Sequence, residues 1–299
     1  MSAAERSVLQ RPNDRLRRRR VANRGMELLA WLAAALAVFI LGVVVWSVAR
    51  RGASELSFAF LTKSQVAFAP PNVKQGLANA FAGSLVIVGL ATAMALPFGI
   101  LIAIYVNEFA PRAIRNAVGL TLDVLNGVPA IVIGFFVFGL LVVGHGQSAY
   151  AGAFALAVLM LPLVARSTVE VLALVPDSLR EAALAVGAPR WRTTLGIVLP
   201  QTVGGVLTGT TLAVARIAGE TAPLLFTSSL VATGIHWNPS QALQTVPVAI
   251  FQLSDSPDPA DHARAWAAAL VLILFILFAS LGARWLATRS RRKIARAGR

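Results

Sequence analysis

The 299-residue chain is 57% hydrophobic and only 13% charged, with a mean hydropathy of +0.72, which leaves too little polar surface to clothe a water-soluble globule. Its net charge of +14 does not point to nucleic acid, because the basic residues gather at the two chain ends and in short segments between apolar stretches, the distribution of a multi-pass membrane protein. The absence of cysteine excludes disulfides, thiolate catalysis and Cys-ligated metal, and His145, His236 and His262 stand far apart with no acidic partner at metal-ligand spacing.

Residues 1–27 carry Arg11, Arg15, Arg17 to Arg20 and Arg24, and are expected as a cytoplasmic tail lying on anionic headgroups. Residues 28–48 form the first span. About 20 apolar residues cross the hydrocarbon, whereas a cleaved leader needs about 7 to 15, so this segment is expected to stay attached. Residues 49–79, with Lys63, Lys74 and the Pro70–Pro71 break, are placed outside the cell. The second span, 80–106, is interrupted by Pro97 and Gly99, a pair that can kink a helix where neighbours re-satisfy the freed carbonyls.

Glu108, Pro111, Arg112 and Arg115 then make a cytoplasmic turn, and a third span over 123–144 climbs outward through a Gly-, Pro- and Phe-rich run that includes Asn126 and Pro129. After an outer turn at 144–148 the fourth span, 149–165, ends at Pro162 and Arg166. That topology puts 166–202 in the cytoplasm, where Arg180, Arg190 and Arg192 satisfy the positive-inside bias. Span five, 203–231, carries Gly205-x-x-x-Gly209, a small-residue face that permits close helix approach. An outer loop with Asp255, Asp258 and Asp261 follows, its middle (242–253) reading as a short interfacial helix. The sixth span, 265–286, leads to a basic tail at 287–299. Trp31, Trp46, Trp266 and Trp285 lie near span ends as an interfacial belt. The sum is an all-α integral membrane protein of six transmembrane helices with both ends inside, without a repeat of fixed short period or a second soluble domain.

Two stretches exceed what packing requires. In the first, Ser178 with Glu181 three residues on reads as a capping box, predicting a short helix from Leu179 to Val186 that stops at Gly187, with Pro189 enforcing the break. A second short helix would run from Trp191 to Leu199, before Pro200. Such an elbow either presents Glu181, Ala182, Ala183 and the turn Ala188, Pro189, Arg190 to a partner or is a plain amphipathic connector. In the second stretch Arg216 and Glu220, four apart, would share one helix face inside the membrane. Each costs about 2.5 to 3.5 kcal/mol to insert on translocon scales. Either the two form a structural ion pair, or Arg216 offers positive potential to a passing anion, with Glu220 positioning it, Thr221 as an adjacent donor and Pro223 breaking the helix to expose backbone groups. Gly204, Gly209, Thr210 and Thr211 mimic a phosphate-cradling loop, but lack its lysine and its preceding strand. Any ATPase must therefore be a separate chain.

Glu181, Ala182, Ala183, Gly187, Ile197, Leu199 and Pro200 stand at the spacing of the EAA motif, and the loop resembles the cytoplasmic coupling loop of bacterial ABC-importer permeases. Arg216 followed by Gly219-Glu220-Thr221-Ala222-Pro223-Leu224-Leu225-Phe226-Thr227 resembles the intramembrane signature of the phosphate-specific PstA family. The resemblance runs from about Leu77 to Leu286. It implies a type I ABC importer (MetI-like) permease fold in a bacterial plasma membrane, a homologous PstC-like permease, a dimer of PstB-like ATPases and an extracytoplasmic PstS-like phosphate-binding protein. It further implies that Glu181, Ala182, Ala183, Gly187, Ala188, Pro189 and Arg190 meet the ATPase, that the chain does no chemistry itself and that it holds neither cofactor nor metal. A different oxyanion, such as phosphonate or sulfate, and an added phosphate-sensing role are the alternatives.

Overall fold

The computed structural model describes residues 14–65, 75–228 and 234–297. Arg11, the Pro70–Pro71 break, Lys74, the end of the fifth expected span at 229–231 and Arg299 lie outside them. Regular structure among the described residues is helical throughout, and the chain divides at residue 50 into two units. The first is carried by helix α1 (Asp14–Gly52), apolar over its spanning stretch and exposed on every side from residue 18 to residue 46.

The second unit is a bundle. Its long elements are α3 (Ala78–Ile104), prolonged by a π-turn at Tyr105–Phe109, α6 (Ala149–Leu172), and a rod in which α8 (Arg190–Thr193) passes through a π-turn (Thr194–Val198) into α9 (Leu199–Ala218). The last is α12 (Pro259–Ala297). Shorter pieces fill the gaps: α2 (Phe58–Thr62), α4 (Arg112–Gly127), α5 (Ala130–Val137), α7 (Asp177–Ala185), α10 (Ala222–Thr227) and α11 (Val246–Ser254). With α1, five helices are long and apolar enough to cross a membrane, and six spans result when α4 and α5, bent by 93°, are taken as one.

The third span expected over 123–144 meets a sharp bend at residues 128–129. Proline at 129 forces Val128 into extended backbone (φ −69°, ψ 128°) and supplies no N–H, so α4 must stop and α5 start afresh in a new direction. Asp123, expected inside that span, belongs to α4, an amphipathic helix whose one buried side chain is Leu122.

At the centre α3 lies on α6. The face it buries is Gly83, Ile87, Ala91, Ala95, Gly99 and Ala103, one residue in every four. Apolar surface gains nothing by leaving lipid tails, so such helices associate through close packing, and small side chains let the backbones approach. A methyl on Gly99 would stand 2.9 Å from Val164 Cγ1. Around this seam pack Ala153, Leu156, Ala157, Met160 and Val164 of α6 and Ala213 and Ile217 of α9. Thr92 and Thr208 return their hydroxyls to the carbonyl four residues back (Val88, 2.7 Å; Gly204, 2.8 Å), which satisfies those two polar groups within their spans.

Candidate functional site

The elbow occupies the end of the bundle that the arginine distribution assigns to the cytoplasm. Helix α7 starts directly after a fixed extended proline, Pro176 (φ −59°, ψ 137°), and no side chain caps it. The capping box is thus absent: Ser178 lies within the first turn, and Asp177 in that turn meets Arg180 instead, Oδ1 to Nη1 at 2.9 Å. The helix ends at a left-handed glycine, Gly187 (φ 82°), where Ala188 N–H reaches Ala183 O at 3.1 Å. Pro189 then caps α8.

Nor does Pro200 end the second elbow helix. A proline inside a helix normally clashes with the carbonyl four back and leaves it unbonded. Here the π-turn immediately before it widens the helix, and the rod continues unbroken from Arg190 to Ala218. Glu181, Ala182, Gly187, Pro189 and Arg190 are exposed, Ala188 is half-buried and Ala183 is buried. Glu181 has no side-chain partner among the described residues.

Arg180, which lies just outside the motif positions, makes the most side-chain contacts of the elbow. Its Nη2 lies 3.0 Å from Glu108 Oε1 and its Nε 3.3 Å from Glu108 Oε2, a two-pronged contact in which the side chains are only 18% and 8% exposed. The same guanidinium donates to Val175 O at 2.7 Å, just past the end of α6, and to Leu172 O at 3.0 Å, the last residue of α6, whose carbonyl also accepts Val175 N–H at 3.3 Å. Arg115 does likewise for the π-turn ending α3, donating to Val106 O and Asn107 O. Beneath these groups lies a cavity of about 440 Å³, lined in part by Asn107, Glu108, Arg115, Arg180, Arg190 and Thr193. An arginine directly before the Glu-Ala-Ala run, with a lone acid after span two, is the signal the sequence holds for this pair.

Farther along the rod, Gly205 abuts Val171 and Gly209 abuts Ser167, an antiparallel register that sets Arg216 level with Met160, the midpoint of α6. The expectation that Arg216 and Glu220 share a helix face is not met. Pro223 has no N–H with which to continue the hydrogen-bond ladder; α9 stops at Ala218, and α10 starts at Ala222 with that proline in its first turn. Glu220 therefore stands in the break, half-buried, and Arg216 is exposed. Among the described residues no ion pair joins them, and neither side chain has another hydrogen-bonded partner. Thr221 caps α10 through its backbone and is half-buried, and Pro223 is buried against Gly134 of α5. Phe226 packs edge-on to Phe135 (centroids 6.0 Å) and Phe138 (6.4 Å), fixing α10 on α5.

A helical bundle with an exposed inner elbow and a charged break at mid-height is the build of a transport permease, and the comparisons agree. A family model described as "Binding-protein-dependent transport system inner membrane component" matches residues 95–292. The chain is 39% identical over 262 residues to the phosphate transport system permease protein PstA of Haemophilus influenzae, covering 87% of this chain and 91% of that one. It is 36% identical over 285 residues to PstA 1 of Mycobacterium tuberculosis, covering 92% and 91%. In fold it is similar to a bacterial alginate ABC transporter in complex with its pentasaccharide-bound periplasmic protein (TM-score 0.65, 17% identity, 91% of this chain and 97% of that one). It also resembles the inward-facing MetNI methionine transporter (TM-score 0.56, 17% identity, 72% and 94%). The chain belongs to the PstA family of these inner-membrane permeases. It is a non-catalytic, multi-pass subunit of an ABC importer with the MetI-like fold.

Proposed function

We propose that this subunit carries inorganic phosphate across the bacterial inner membrane as half of a translocation pathway completed by a PstC-like permease. A PstS-like binding protein delivers the anion on the outer side, and a PstB-like ATPase dimer engages Glu181, Ala182, Ala183, Gly187, Ala188, Pro189 and Arg190 on the inner side. The observation that carries this reading is Arg216: an exposed guanidinium at the mid-height of the bundle, on a face its own chain leaves uncovered. An uncompensated charge at that depth is expensive to keep and is characteristic of an ion path. Glu220 and Thr221, in the break that follows α9, serve in this reading as positioning and donor groups.

The test is phosphate uptake, with ATP hydrolysis in parallel, by a reconstituted complex of all partner chains carrying Arg216→Gln or Glu181→Lys. Arg216→Gln is expected to assemble and hydrolyse ATP but not move phosphate, and Glu181→Lys to lose assembly or coupling. Normal transport by Arg216→Gln would make the arginine structural. ATP hydrolysis stimulated by a sulfate- or phosphonate-loaded binding protein, and not by a phosphate-loaded one, would change the anion.

A further inference from the structure

Helix α7 has to pass force to the bundle if it is to act as an elbow, and its exposed residues cannot do so. Asp177 bonds only within α7, while Ser178 and Glu181 make no side-chain bond to α3 or α6 among the described residues. Arg180 alone among them reaches both spans. It grips Glu108 at the end of α3 in a fork and the carbonyls of Leu172 and Val175 at the end of α6. Because α3 and α6 are joined along their length by the small-residue seam, a pull on Arg180 acts on both as a single body.

We propose that Arg180 is the positioning residue that transmits displacement of the elbow to α3 and α6, with Glu108 as its anchor, while Glu181 serves only the outward contact. This rests on the reading of the chain as an ATPase-driven permease and adds the internal link that reading lacks. The planar fork matters. Five donors in one plane satisfy a carboxylate and two carbonyls at once, which an ammonium cannot reproduce. Partial burial makes the arrangement stiff, since removing one member strands a charge away from water.

The experiment compares Arg180→Gln, Arg180→Lys and Glu108→Gln with the unaltered chain in the full reconstituted complex, reading phosphate carried per ATP hydrolysed. The chain has no native cysteine, so nitroxides at Ala113→Cys of α4 and Ala185→Cys of α7, both exposed, report the elbow's position cleanly. Arg180→Gln and Glu108→Gln are expected to lower the ratio at least about tenfold, the scale for stranding a buried charge. Hydrolysis should persist, and the label distance, which stays constant between nucleotide-free and ATP-trapped complexes of the unaltered chain because elbow and bundle move together, should broaden and shift between them in both variants. Arg180→Lys should recover part of both. Should Arg180→Gln fail to assemble, Glu108→Gln reads the same quantities with the α6 bonds intact. Unchanged coupling in Glu108→Gln, with a label distance that stays as constant between the two states as in the unaltered chain, would overturn the proposal. The label distances decide it even if the unaltered complex carries no phosphate, an outcome that would instead sink the assigned substrate.

Discussion

Asn79 at the start of α3 donates its amide to Gln244 across 3.1 Å, although 165 positions separate them, and both are buried. Asn79 also accepts the backbone N–H of Gln65 at 2.9 Å, and Gln244 donates to Gln252 at 2.7 Å. The bundle end opposite the elbow is thus tied by a polar chain running through the segment before α11. Asn79→Ala is expected to destabilise that end by about 1 to 3 kcal/mol, the cost of leaving buried polar groups short of a partner. Thermal unfolding of the purified complex in detergent checks this.

Gly134 is where α5 meets the restart of the broken fifth span. A Cβ there would fall inside contact distance of the Pro223 backbone, and backbone cannot swing aside. Gly134→Ala is expected to cost about 1 to 3 kcal/mol by overpacking and to separate Phe226 from Phe135 and Phe138. Gly139, with nothing within 4 Å of its Cβ position, should tolerate alanine far better in the same unfolding assay.

At Gly187 the constraint is dihedral and not steric. Its φ is 82°, yet no atom lies within 4 Å of the point where a Cβ would stand. Alanine there should cost about 1 to 2 kcal/mol and raise hydrogen exchange of the α7 amides by about tenfold, with asparagine less harmful and valine more so.

Arg166 offers a contrast with Arg180. It lies 3.5 Å from Asp123 and 4.0 Å from Glu170, but its side chain is 44% exposed and theirs more so. Asp123→Ala is expected to change stability by less than about 1 kcal/mol, and salt should abolish the difference. A loss as large as that of Asn79→Ala would show that α4 depends on this pair.

The spans are legible in the sequence because an apolar run of sufficient length has few alternatives in a membrane. What escapes a linear reading is what neighbouring residues do to one another. Pro223 and Pro129 signal local breaks, yet neither shows in advance that α9 ends as early as Ala218 or that α4 turns away from α5 at Val128. Pro200 has the look of a terminator, and the π-turn that accommodates it has no sequence mark. The elbow's exposed motif is visible because it is contiguous. Arg180 and Glu108 meet only because α3 and α6 end side by side, a relationship 72 positions apart that no local pattern encodes. The every-fourth small residues of α3 stand in plain view, but small residues carry no hydrophobic signal to set the period.

That stripe also limits how the protein can move. On α3 the stripe is glycine or alanine at every position but Ile87, and against it pack Leu156, Met160 and Val164 of α6, larger side chains set into notches. A slide would have to jump from one notch to the next, four residues or about 6 Å along the axis. The α3–α6 pair is therefore a chassis: it can tilt or be carried, but it does not shear. Whatever opens and closes a path across the membrane must hinge about it, at the joints where the chain has already given up regular helix.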